Sequence, residues 1–71
     1  MNQPRTPADL GAIVRLRRKE LDLTQGELAG LSGVGERFVS EVERGKATAE
    51  LGKVLRLLDR LGLTVVVEAK R

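Results

Sequence analysis

Between Thr24 and Lys46 the stretch TQGELAGLSGVGERFVSEVERGK is cut by its own punctuation into two short segments, which constrains the fold more than any other feature of the chain. Thr24 and Glu27 have the Thr-x-x-Glu spacing of a capping box, in which each side chain satisfies a free backbone donor at a helix start. Leu23 and Leu28 occupy the two positions of a hydrophobic staple around the same start. Gly33 and then Gly45 supply the left-handed conformation that ends a helix. Two short helices joined by a tight turn fit between these marks. In the second, over about Gly35 to Arg44, Val39 and Val42 share one side of a wheel at roughly 100° per residue. Glu36, Arg37, Ser40, Glu41 and Arg44 spread over the other side, and Phe38 falls at the border. A helix so short and polar forms only where its inner face is packed.

The flanking sequence supplies the packing. Residues 1–6 have no periodicity and carry Pro4, which predicts an N-terminal arm. Thr6-Pro7-Ala8-Asp9 gives a capping hydroxyl, a proline at the first helical position and an acid in the first turn, so a helix is expected over about 7–21. Its apolar face is Leu10, Ile13, Val14 and Leu21, with the stem of Arg17 between them. Arg15, Arg17, Arg18 and Lys19 make its end basic; most read as a solvated face, with one or two within reach of phosphate. Ahead of a fourth helix at about 49–61, Thr48 is the expected cap. Leu51, Val54, Leu55 and Leu58 form the expected core stripe there. Leu57 and Leu61 widen it to an arc of roughly 160°, more than one core contact needs. Gly26 and Gly52 sit inside helices, each costing roughly 1 kcal/mol against alanine.

After Gly62 comes Leu63-Thr64-Val65-Val66-Val67-Glu68-Ala69, a β-branched run that reads as a strand. One strand leaves its backbone groups unpaired, and the chain holds no second run of comparable quality. The expected partner is the same segment of a second copy, antiparallel across a two-fold axis, with Leu57 and Leu61 buried nearby. The rival partner is the arm from Asn2 to Thr6, a poor strand because of its proline and polarity.

Composition removes several classes of function. The chain has 71 residues, one domain near the size at which a single core is marginal. It lacks both Cys and His, so thiol chemistry, disulfides and the commonest metal ligands are absent; no cofactor and no enzyme activity are expected. Phe38 is the only aromatic residue, which argues against base stacking on aromatic platforms. No apolar run approaches the roughly 18 residues of a membrane span, and the N-terminus lacks a signal peptide's apolar segment, so a soluble, cytoplasmic protein is expected. The net charge of +3 permits nucleic-acid binding without demanding it.

Two helices at this spacing meet the geometry of a helix-turn-helix, whose first helix braces on the DNA backbone while the second lies in the major groove. Ala29 is the small residue at the helix crossing, Gly33 makes the turn, and Val39 and Val42 lock the second helix inward. The pattern Thr24-Gln25-x-Glu27-Leu28-Ala29, Gly33-Val34, Val39-Ser40 and Val42-Glu43-x-Gly45-Lys46 resembles the Cro and Xre class of lambda-repressor-like domains. Within that class ERFVSEVERGK, ATAELGKVLRLLDRLGL and the terminal valine run resemble HipB-type antitoxins. The expected fold is therefore mainly α: a lambda-repressor-like bundle of four helices over 7–62, then a strand and basic tail over 63–71 that pair across a homodimer through Leu57, Leu61, Leu63, Thr64, Val65, Val66 and Val67.

The resemblance implies residue roles. Gln25 would bond phosphate, which agrees with the free backbone donors at the start of its helix. Gly35, Glu36, Arg37, Ser40 and Glu41 would face the groove, Arg44 and Lys46 would grip the backbone beyond it, and Arg18 and Glu43 would be a structural pair joining the first and third helices. Chemically, Arg37 suits guanine, Glu36 or Glu41 a cytosine amine, and Phe38 either a thymine methyl or, with more weight, a plug between helices. The two glutamates read equally as solvated carboxylates that repel wrong sites. The implied function is a repressor on double-stranded operator DNA with an inverted repeat, nucleoid-associated when bound, and the antitoxin of a HipA-like kinase toxin. A stand-alone Xre-type repressor and an interaction module without DNA binding are the alternatives.

Overall fold

The computed structural model describes residues 3–70. Met1, Asn2 and Arg71, which belong to the expected arm and tail, lie outside the described residues. Four helices follow in order: α1 (Pro7–Glu20), α2 (Gln25–Ser32), α3 (Glu36–Glu43) and α4 (Leu51–Arg60). α3 packs on both α1 and α2, and α4 packs on α2. The shared core is Val14 of α1, Leu28 and Ala29 of α2, Val39 and Val42 of α3, and Val54, Leu57, Leu58 and Leu61 at α4. Fully burying a Leu or Val side chain stabilises by roughly 1.5–3 kcal/mol, which is what holds two eight-residue helices in place.

All four helices stop in the same way. A backbone N–H beyond each end reaches back over a left-handed residue: Leu23 to Arg18 O (3.1 Å), Val34 to Ala29 O (3.1 Å), Lys46 to Glu41 O (3.0 Å) and Leu63 to Leu58 O (2.9 Å). The left-handed residue is glycine at Gly33, Gly45 and Gly62, but Asp22 at the end of α1 (φ 57°). Each closure satisfies carbonyls that the helix end would leave free.

The α1 to α3 contact depends on two glycines. A Cβ on Gly11 would lie 2.3 Å from Val42 O, and one on Gly45 would lie 2.8 Å from Ala8 Cα. By contrast Gly52 has open space around it and Gly26 only ordinary contacts, so neither marks a close approach.

Three expectations need correction at the C-terminal end. Thr48 does not cap α4; the helix starts at Leu51 with Glu50 as N-cap and no side-chain cap bond. Leu57 and Leu61, expected at a dimer surface, are fully buried in the chain's own core, whereas Leu51 and Leu55, expected in the core, are 67% and 44% exposed. The wide apolar arc is real, but α4 seats its other edge on α2. Residues 63–70 form no strand, and no ladder joins them to residues 3–6. Leu63 packs against the core, but Val65, Val66 and Val67 are exposed, and among the described residues no strand pairs with this segment.

Candidate nucleic-acid interface

The site is built around the N-terminus of α2. Thr24 Oγ1 accepts from the Glu27 N–H at 3.0 Å while Thr24 N–H donates to Glu27 Oε1 at 2.8 Å, completing the capping box. This fixes Gln25 at the first helical position. Gln25 Nε2 then donates to Glu43 Oε1 at 3.1 Å, so the end of α3 holds the side chain at the start of α2.

Glu43 is itself held by Arg18. The guanidinium donates through Nε to Glu43 Oε2 at 2.6 Å and through Nη2 to Glu43 Oε1 at 3.0 Å, and its Nη1 donates to Leu23 O at 2.8 Å. The two side chains are 10% and 4% exposed. Burial works against the Glu43 charge, but the hydrogen bonds from Arg18 and Gln25 and the nearby charges of Arg18 and Arg15 outweigh it, keeping the carboxyl below the usual carboxylate range. The hydrogen bond to Glu43 correspondingly raises Arg18. One fork–fork contact thus ties α1, the α1–α2 turn, α2 and α3 together.

Over this pair lies a polar cleft lined by Arg15, Lys19, Gln25, Ser40 and Arg44. Gln25, Ser40 and Arg44 were expected at a DNA surface. Arg15 and Lys19 belong to the basic face of α1, and the structure treats the four cations there differently. Arg17 Nε donates to Leu61 O at 2.8 Å, placing a cation at the C-terminus of α4, and Arg18 makes the buried pair. The signal for this division lies in the periodicity. Positions 17 and 18 continue the apolar face of Leu10, Ile13 and Val14, so their charged heads must find partners inside the fold, whereas 15 and 19 do not. Arg60, not singled out from sequence, donates to Leu31 O at 3.0 Å near the end of α2.

The outward face of α3 adjoins the cleft. Gly35, Glu36 and Arg37 are exposed, and Ser40 and Glu41 are half-buried. Arg37 Nε and Lys46 Nζ both approach the Glu41 carboxylate, at 3.5 and 3.3 Å. Hydrogen bonding to Lys46, aided by the charges of Lys46 and Arg37, lowers the Glu41 pKa against a desolvation effect that would raise it. Phe38 packs against the core with Lys53 Nζ 5.7 Å from its ring centroid, the geometry of a plug. Among the described residues no cluster of three metal-binding side chains occurs, and no helix is long and apolar enough to cross a membrane.

Residues 9–70 match the helix-turn-helix domain family. The chain belongs to that family. An uncharacterized HTH-type transcriptional regulator of Sinorhizobium fredii is 54% identical over 65 residues, covering 92% of this chain and 86% of the relative. A second HTH-type transcriptional regulator, of Haemophilus influenzae, is 34% identical over 50 residues; the match spans 70% of this chain and 51% of that protein. The chain is thus a helix-turn-helix protein similar to HTH-type transcriptional regulators. Among solved structures, HipB in a HipB-O4 20mer complex superposes with a TM-score of 0.88 at 22% identity over the whole of both chains. A chain of a HipA-HipB-O2-O3 complex gives the same score, identity and coverage.

Proposed function

We propose that this helix-turn-helix regulator is a homodimeric repressor that binds double-stranded DNA at an inverted repeat. The observation that carries the reading is the cleft of Arg15, Lys19, Gln25, Ser40 and Arg44 beside the exposed face of α3. It puts cations and the free donors of a helix N-terminus next to side chains able to reach base edges. In this arrangement Gln25, Arg44 and Lys46 take phosphate, while Gly35, Glu36, Arg37, Ser40 and Glu41 face the groove, with Arg37 suited to guanine. Arg18 and Glu43 hold the frame. A gel-shift titration with salt is the test: affinity should fall steeply as salt rises, and binding indifferent to salt would remove the proposal.

One domain covers a half-site, and a second copy supplies the other, roughly 34 Å away. The tail supports such pairing because its valines are exposed and, among the described residues, no strand pairs with it. Leu10, Ile13, Leu51, Leu55, Val65 and Val66 line an apolar groove beside it. Residues Leu63, Thr64, Val65, Val66 and Val67 would pair antiparallel across the two-fold axis, with Leu51 and Leu55 as the apolar cover.

The narrower reading is an antitoxin that represses its own operon and binds a HipA-like kinase toxin. It rests on the likeness of fold to HipB and on the existence of a HipA-HipB complex among the similar structures. Co-purification with the product of an adjacent kinase-like reading frame tests it; a regulator that acts alone retains no such partner. An interaction module without DNA binding is excluded if Gln25→Ala together with Arg37→Ala abolishes duplex binding in a folded protein.

A further inference from the structure

We propose that Glu41 sets specificity by withholding Arg37 and Lys46 from any duplex that does not offer all three residues better partners, an inference that rests on the DNA-binding reading above. The arrangement follows from how α3 ends. Gly45 turns the chain so that Lys46 N–H donates to Glu41 O at 3.0 Å, which starts the lysine side chain directly above the glutamate. Lys46 Nζ then reaches Glu41 Oε1 at 3.3 Å, and Arg37, one turn earlier, places Nε 3.5 Å from Oε2. Each carboxylate oxygen thus engages one cation. The carboxylate is anchored and the cations are free to leave: Glu41's side chain is 22% exposed, Lys46's 46% and Arg37's 90%.

Both pairs are weak, as solvent-exposed ion pairs are, so they do not lock the surface. They change what a given sequence gains on binding. At a non-specific site phosphate merely replaces Glu41 as the partner of each cation, and Glu41 is left facing a negative backbone. Where a guanine takes Arg37, a cytosine amine takes Glu41 and a phosphate takes Lys46, all three groups are matched. Glu43 has no such role, because its cation is the buried Arg18.

The test uses the full chain, a random-sequence duplex and fluorescence anisotropy over a range of salt. Glu41→Gln should tighten random-duplex binding roughly threefold to tenfold and steepen the log–log salt slope by about one to two, as freed cations turn to phosphate. Glu41→Ala should do the same, which guards against a folding artefact of either variant. In an Arg37→Gln/Lys46→Gln background the same change at Glu41 should have little effect. A gain of equal size in both backgrounds would mean simple repulsion and overturn the proposal. A parent protein with steep salt dependence that Glu41→Gln leaves unmoved overturns it too, with the DNA reading intact; failure of every variant to bind duplex at low salt removes both.

Discussion

Gly11 of α1 and Val42 of α3 meet backbone to backbone, so that a Cβ on Gly11 would sit 2.3 Å from Val42 O and 2.8 Å from Glu43 O. No side-chain rotation relieves such a contact. Gly11→Ala should push α1 off α3 and destabilise the fold by about 3 kcal/mol in urea titration. Gly30, inside α2, has nothing within 4 Å of its Cβ position. Gly30→Ala should instead stabilise by about 0.5–1 kcal/mol. Equal effects at the two positions would show that the helix crossing is not constrained by Gly11.

The Arg18–Glu43 pair predicts a dependence of stability on pH. Glu43 titrates below its ordinary range in the folded chain, so the folded state binds fewer protons there than the unfolded state. Its contribution is complete above the ordinary carboxylate pKa and is lost as pH falls through the depressed folded value. Arg18→Met should cost about 3–5 kcal/mol by stranding a buried carboxylate, and Arg18→Met/Glu43→Met should recover much of that. Urea midpoints measured from acid to neutral pH would show both effects, with the acid-range slope reduced in the double variant.

Among the described residues Asp22 is the one non-glycine residue with positive φ, and it stands where α2, α3 and α4 end on glycine. Asp22→Gly should therefore raise stability by about 0.5–1 kcal/mol, seen as a higher thermal midpoint at unchanged helical signal.

The two edges of α4 should respond differently. Leu57→Ala opens a cavity in the core and should cost about 2–5 kcal/mol of folding stability. Leu51→Glu, on the exposed edge, should leave the helical spectrum intact while shifting sedimentation toward the monomer. Truncation after Gly62 should also yield monomers with weaker duplex binding. Dimers surviving both changes would place the interface elsewhere.

Arg15 and Lys19 should act on affinity rather than on folding. Changing both to Gln should lower the slope of log affinity against log salt by about 0.9 per lost phosphate contact, at an unchanged melting temperature. Arg17→Gln should do the reverse, because its partner is Leu61 O at the end of α4.

Local chemistry made much of this molecule legible. The capping box at Thr24, the proline start after Thr6, and the glycines at 33, 45 and 62 act within a few residues of themselves, and each marks an observed boundary. The inward pair Val39 and Val42 was visible for the same reason, since an eight-residue helix has room for only one apolar face. Thr48 is not the cap: α4 starts at Leu51 after Glu50, with no side-chain cap bond to mark the place in the sequence. Arg15, Arg17, Arg18 and Lys19 form one charged run; periodicity puts 17 and 18 on the packed face, but that Arg17 reaches Leu61 O at the end of α4 is settled only by how distant segments pack.

The sequence by itself determined the bounds of α1, α2 and α3 to within about a residue, the end of α4, and that α2 and α3 form a helix-turn-helix, because capping, turn conformation and amphipathic spacing are properties of short segments. Only the tertiary structure decided which edge of the α4 apolar arc belongs to the core, placing Leu57 and Leu61 inside and leaving Leu51 and Leu55 exposed. It also decided that the Arg17 guanidinium meets Leu61 O at the end of α4. Both outcomes depend on the angle at which distant segments pack, and that angle is set by contacts such as Gly11 against Val42, which no local pattern encodes.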